Sequence, residues 1–167
     1  TELLKLHKLS HLALNDNKIT GEIPTTIGNA ISLVSLDLSR NEISSSIPSE
    51  IGLLTVLKSI NLDDNIIIGA IPLQIGSCNS LKQISIRRNQ IPDYVPTEIS
   101  KLDLLEELYL EENLIQGPIP SEIGLLSNLR HFNMSNNFVQ DTLPISWWDD
   151  EGLASLESLD LSSNFIS

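Results

Sequence analysis

Apolar residues recur along this chain at a spacing that no single helix or strand would produce. Seven segments, "LSHLALNDN", "LVSLDLSRN", "LKSINLDDN", "LKQISIRRN", "LEELYLEEN", "LRHFNMSNN" and "LESLDLSSN", read L-x-x-L-x-L-x-x-N, with Ile, Phe or Met standing in for Leu. The L-x-L alternation has period two, which predicts a short strand with one buried face. The closing asparagines are Asn17, Asn41, Asn65, Asn89, Asn113, Asn137 and Asn164, spaced by 24 residues five times and then by 27. A unit of that length cannot bury an apolar face alone, but stacked units can. The strands are therefore expected side by side in one parallel sheet, about 4.8 Å apart. Each asparagine falls where the chain turns inward. Its amide is expected to bond the backbone of its own turn and of the next coil, forming a ladder that satisfies buried peptide groups.

The second half of each unit carries a different signal. Pro24, Pro48, Pro72, Pro96, Pro120 and Pro144 recur every 24 residues, in contexts such as "ITGEIPTTIGNAISL" and "IQGPIPSEIGLLSNL". The Ile before each Pro and the Ile three residues after it are expected to face inward. Pro opens a short helical turn without loss, because its missing N–H would be unpaired there anyway. Glu50, Glu98 and Glu122 then fall in a first turn, where the helix dipole favours acid. Gly21, Gly69 and Gly117 suit a bend before it. Short 3-10 or single α turns are predicted on the side opposite the sheet.

These residues carry a resemblance. Leu33, Leu36, Leu38, Asn41, Ile43, Ile47, Pro48, Ile51, Gly52 and Leu54 match the plant-type leucine-rich repeat, and the match runs through essentially the whole chain. The resemblance implies an α/β repeat solenoid, a right-handed horseshoe with a parallel concave sheet and a convex side of short turns. It implies recognition of a protein or peptide ligand on the concave face, with a co-receptor as a further partner, and no catalysis. Such repeats are found in ectodomains of receptor-like kinases and receptor-like proteins, which implies an extracellular or cell-surface, membrane-linked signalling glycoprotein. The alternative is an inhibitor such as a polygalacturonase-inhibiting protein, or an intracellular scaffold, with no signalling domain and, for the scaffold, a cytoplasmic location. Residues 1–167 are expected to form one solenoid of about seven repeats. "TELLKLHKL" matches the second half of a unit and "SSNFIS" stops before its proline, so both ends are expected to be open edges of a longer array.

Charge narrows the partners. Ten basic and 22 acidic side chains give a net charge of −12, which argues against nucleic acid or an anionic membrane surface. No apolar run is long enough to insert into a membrane. The one cysteine, Cys78, takes the place of Leu54 and Leu126, so a buried, unreactive thiol is expected and no internal disulfide can form. No metal-ligand spacing, phosphate loop or other cofactor motif is present. His131, Ser158 and Asp160 are expected to be neighbours on the sheet, but on an open surface with no oxyanion hole they read as chance polar neighbours. The sequon Asn133-Met134-Ser135 is a candidate glycosylation site on the sheet face.

Two units are irregular. In "QIPDYVPTEIS", Asp93 and Ser100 replace glycines. "VQDTLPISWWDDEGLASL" is three residues longer than its counterparts. Trp147 there takes an inward Ile position, while Trp148 either lies over the neighbouring coil or stands out as a contact for a partner.

The solvent-facing sheet positions can be written out from the register. They are small and polar at both ends, while the centre is charged and carries the only aromatic, Tyr109. Asp63–Arg87–Glu111 and Asp64–Arg88–Glu112 form two transverse rows. One reading is a self-compensating ladder of exposed pairs, each worth about 0.2–1 kcal/mol. The other is a recognition patch, with Tyr109 as anchor, Arg87, Glu107, Asp63, Glu111 and His131 as charged or titratable contacts, and Asn61 and Ser85 as polar ones. The two are compatible, because a ladder can preorganise a patch.

Overall fold

The computed structural model describes residues 7–148 and 152–167. Seven three-residue strands, His11–Ala13, Ser35–Asp37, Ser59–Asn61, Gln83–Ser85, Glu107–Tyr109, His131–Asn133 and Ser158–Asp160, pair in sequence order into one sheet. Every pairing is parallel and in repeat register, so Leu36, Ile60, Ile84, Leu108 and Phe132 follow one another across it. Each strand's middle residue faces the core, as the period-two pattern requires. The fold is a solenoid, with this sheet on its concave side. The stretch before His7, read above as a half unit, and the acids after Trp148 lie outside the described residues.

Opposite the sheet stand five-residue 3-10 turns, Thr25–Asn29, Ser49–Leu53, Leu73–Ser77, Thr97–Lys101 and Ser121–Leu125, and the shorter Ile145–Trp148. Each five-residue turn begins after a proline, whose carbonyl accepts the turn's first bond, as in Ile51 N to Pro48 O at 3.1 Å. The inward Ile pairs close the core: Ile47 and Ile51, Ile71 and Ile75, Ile119 and Ile123 are all buried. Where a turn carries a glycine, at Gly28, Gly52, Gly76 and Gly124, it is a matter of stacking. A Cβ on Gly52 would come within 2.5 Å of the Gln74 carbonyl oxygen, so a side chain there would push successive coils apart.

The asparagines join the coils. Asn65 donates from its amide to the carbonyls of Leu62 and Asp63 in its own turn, each at 3.1 Å, and of Leu38 one coil earlier at 3.0 Å. Its side-chain oxygen accepts from the Ile43 amide at 3.0 Å. Asn41, Asn89, Asn113 and Asn137 repeat both halves of this pattern. The bonds run back to the preceding coil and not forward to the next, because the amide lies under the strand it has just left. The residue before each asparagine is left-handed, from Arg88 at φ 49° to Glu112 at φ 56°.

A second set of pairings was not foreseen. On the flank after the asparagines, Thr20–Gly21 pairs with Glu42–Ile43, and Phe138–Asp141 pairs with both Gln116–Gly117 and Phe165–Ile166. The two groups are separated at the fourth unit, where Pro92 offers no N–H and Asp93 bonds the Tyr94 amide with its side chain at 2.8 Å. The Tyr94 ring lies where a side chain on Gly117 would be, which is why that position has none. The bend read from Gly21, Gly69 and Gly117 is left-handed at all three, and Ser45 and Asp141 adopt it without being glycine.

Asn65→Ala is expected to lower stability by about 1–3 kcal/mol in urea or thermal melts, because it strips partners from the buried Ile43 amide and Leu38 carbonyl. Ser45→Gly is expected to act the other way, by up to about 1 kcal/mol, by releasing a left-handed serine at φ 73°. A lower melting temperature for that variant would contradict the strain.

Candidate functional site

The concave face is where the sequence placed its candidate contacts, and the structure sorts them by depth. Asn61, Arg87, Glu107, Tyr109 and His131 are half-buried at the surface. Asp63, Ser85 and Glu111 stand in the outward columns but are not exposed: Asp63 and Ser85 are 2% exposed and Glu111 is 8% exposed. The inner curve of the sheet crowds side chains from adjacent strands, and the long Arg87 and Tyr109 lie among shorter neighbours. The central row is therefore a partly buried network and not a set of exposed pairs.

Asp63 is its hub. One carboxylate oxygen accepts from the Ser85 hydroxyl at 2.7 Å and the Arg87 amide at 2.8 Å. The other accepts from Arg87 Nε at 2.7 Å and Nη2 at 2.6 Å. A buried carboxylate is tolerated only when it is this well supplied with donors. The need for it can be traced along the strands. In four units an Asx residue at the strand end caps the amide two residues on: Asp37 for Ser39, Asn61 for Asp63, Asn133 for Ser135 and Asp160 for Ser162. Ser85 breaks that run, and Asp63 reaches across from the preceding coil to cap Arg87 instead. The recurrence of Asp or Asn at this position was the overlooked signal.

Glu111 is the exception in the network. One of its oxygens lies 3.5 Å from Arg87 Nη1, and the other is buried with no partner. Burial pushes its carboxyl above the ordinary range, against the opposing pull of its own backbone amide and of Arg87. Arg87 itself is held more firmly cationic, chiefly by its bond to Asp63. Its guanidinium carbon sits 5.4 Å from the centroid of the Tyr109 ring. Burial, and then the nearby Glu107, raise the Tyr109 phenol.

The surrounding charges are paired across coils. Arg88 bonds both oxygens of Asp64 and lies 3.7 Å from Glu112. On the near rim, Lys82 meets Glu106 at 2.6 Å and Arg130 meets Glu157 at 3.7 Å. Between them runs a polar relay, with Ser59 donating to Gln83 at 2.8 Å and Gln83 to Glu107 at 2.8 Å. Ser158 is the register partner of His131, but Asp160 faces Asn133 and accepts from the Ser162 amide; the Ser162 hydroxyl, and then that amide, hold its carboxyl below the ordinary range. Asn133, the sequon residue, is half-buried on this face with its side-chain oxygen on the Ser135 amide at 2.9 Å.

Away from the face, Trp147 fills the core at 2% exposure, edge-on to Phe132 at 6.1 Å and donating to the Ser121 carbonyl at 3.3 Å. Trp148 stands largely in solvent, at 61% exposure. Cys78 is buried against the Ile51 carbonyl, and burial pushes its thiol up to about 11. Among the described residues no cluster of His, Cys, Asp or Glu could hold a metal ion, and no helix is long and apolar enough to cross a membrane.

Comparison with known proteins gives this geometry a context. Family models described as leucine rich repeat match residues 55–115 in one case and residues 8–30 and 32–54 in another. Over 55 residues the chain is 44% identical to the LRR receptor-like serine/threonine-protein kinase GSO2 of Arabidopsis thaliana, covering 32% of this chain and 4% of that protein. The plant peptide hormone receptor RGFR1, solved in complex with RGF2, matches with a TM-score of 0.94 at 34% identity, over 98% of this chain and 26% of that one. The Arabidopsis receptor kinase HAESA, solved with the peptide hormone IDA and the co-receptor SERK1, matches with a TM-score of 0.92 at 35% identity, over 98% and 27% respectively. The chain thus spans only a small part of each of these relatives.

Glu111→Gln tests the orphaned oxygen. A carboxyl raised in the folded state favours the fold while protonated, and that contribution is lost as pH rises through its folded value. At neutral pH the glutamine variant is expected to melt at or above the parent temperature. The difference should shrink as pH falls from neutrality through the raised folded value, and the shrinkage should be complete by about 4.3, the ordinary glutamate value. A variant that melts lower at neutral pH would show that the carboxylate is satisfied after all.

Proposed function

Because this chain belongs to the leucine-rich repeat family, we propose that it is a recognition segment of a receptor-like surface protein that binds a peptide or protein on its concave face, and that it performs no catalysis. The observation that carries this reading is the contrast along the face. Its ends are small and polar, while at its centre a half-buried tyrosine and an arginine are held by a hydrogen-bonded carboxylate network. Tyrosine and arginine dominate binding energy at interfaces, most of all when they are already ordered. Asp63 fixes Arg87, and Arg87 fixes the Tyr109 ring, so little side-chain entropy remains to be lost when a ligand arrives.

The relatives support the same reading. One solved neighbour is a plant peptide hormone receptor in complex with RGF2, and another is a receptor kinase in complex with a peptide hormone and a co-receptor. An extracellular or cell-surface location, a peptide ligand and a co-receptor are carried over from them as proposals for the longer protein. The polar neighbours His131, Ser158 and Asp160 make no nucleophile–base pair, and Asp160 is committed to an amide.

The test is a displayed random-peptide library selected on the immobilised protein. Binders are expected whose capture falls by about tenfold or more with Tyr109→Ala, at an unchanged melting temperature. Arg87→Glu is unsuitable as a control, because it would leave the buried Asp63 without its cation. Binders indifferent to Tyr109 but lost with Trp148→Ala would move the site to the convex side.

A further inference from the structure

The chemistry of the ligand can be read from what the centre of the concave face has left unsatisfied, given the recognition role proposed above. The cations there are already paired. Arg87 gives Nε and Nη2 to Asp63 and directs Nη1 at Glu111. Arg88 is taken by Asp64 and Glu112, and Lys82 by Glu106. An anionic ligand group would meet cations whose charge is already balanced by these carboxylates.

The acceptors are not spent. Glu107, Tyr109 and Glu111 alternate along one strand and its extension, so all three side chains share the concave face. Two carboxylates thus flank one aromatic ring. Glu107 gives one oxygen to the Gln83 amide. Glu111 holds a buried oxygen with no partner, and its residue is 8% exposed. An orphaned buried acceptor is costly, and a donor that reaches it recovers that cost. With Asp63 and Arg87 included, the cluster carries a net charge of −2.

The chain also supplies a precedent for what fits. The Arg87 guanidinium lies over the Tyr109 ring at 5.4 Å while one nitrogen approaches Glu111 at 3.5 Å, at the outer limit of a hydrogen bond. Ring and carboxylate together already hold a planar cation from one side and hold it incompletely. The side towards the sixth unit offers Asn133, His131 and the buried Ser135, with neither lysine nor arginine among them.

We propose that this seat takes a basic group of the ligand, an arginine or lysine side chain of a peptide, with Tyr109 as its stacking face and Glu107 and Glu111 as its acceptors. The ligand is then recognised through a positive charge and not through a carboxylate or another anion. Salt is expected to weaken the contact, as for any partly exposed ion pair.

The Tyr109-dependent binders from the displayed library provide the test. They are expected to share an arginine or lysine at one position. Synthetic copies carrying citrulline or norleucine there should bind at least about tenfold more weakly. A comparable loss is expected with Glu107→Gln and with Glu111→Gln, each melting no lower than the parent. Tyr109-dependent binders that lack a basic residue, or that ignore both glutamine variants, would overturn the basic-ligand inference and leave the concave-face reading intact. If no binder depends on Tyr109, the concave-face reading falls and this inference falls with it.

Discussion

A chain that winds into a coil every 24 residues must bury peptide groups at each inward turn, where neither a helix nor a sheet can satisfy them. The asparagine side chain meets that demand at one point. It donates to three carbonyls and accepts from one amide, and it joins its own turn to the coil before it. Strand register, the inward set of Leu and Ile, and the stacking of the 3-10 turns all presuppose that this joint holds each coil at a fixed distance from its neighbour. The left-handed residue that precedes it is the conformational cost of bringing the amide under the strand.

The repeat made the architecture legible because its information is redundant. Seven copies of L-x-x-L-x-L-x-x-N set the strands and their neighbours, and the proline period set the turns. What stayed hidden depends on single side chains, not on the period. Nothing in the pattern says how deep an outward residue lies. Asp63, Ser85 and Glu111 occupy solvent-facing columns yet are buried, because Arg87 and Tyr109 crowd the same inner curve. The flanking sheet was likewise invisible, since all but one of its strands have two residues, too few to show an alternation. The direction of the asparagine bonds could not be read either, because an amide between two coils can in principle serve both.

The concave face shows how a ladder of like rows can hold unlike contents. The sheet places chemically different residues in identical backbone sites, and local shortages are met by neighbours. Where Ser85 cannot cap the Arg87 amide, Asp63 does so from the adjacent strand, and that commitment is what draws Arg87 and then Tyr109 into fixed positions. Glu111 has no such neighbour. The order of the face and its one unmet bond thus arise from the same departures from the repeat.

Pro92 has a consequence of another kind. Between the first three units each coil is tied to the next along the flank by a pair of backbone bonds, such as Ile66 N to Ile43 O and Ile68 N to Ser45 O. On either side of the fourth unit only one such tie remains, Gln90 N to Ile67 O and Leu114 N to Ile91 O. The fourth coil is therefore a compliant joint in an otherwise stiff spring. Twist or tension applied along the solenoid concentrates there, one strand away from Tyr109. A partner that grips both ends would bend the molecule across its concave face.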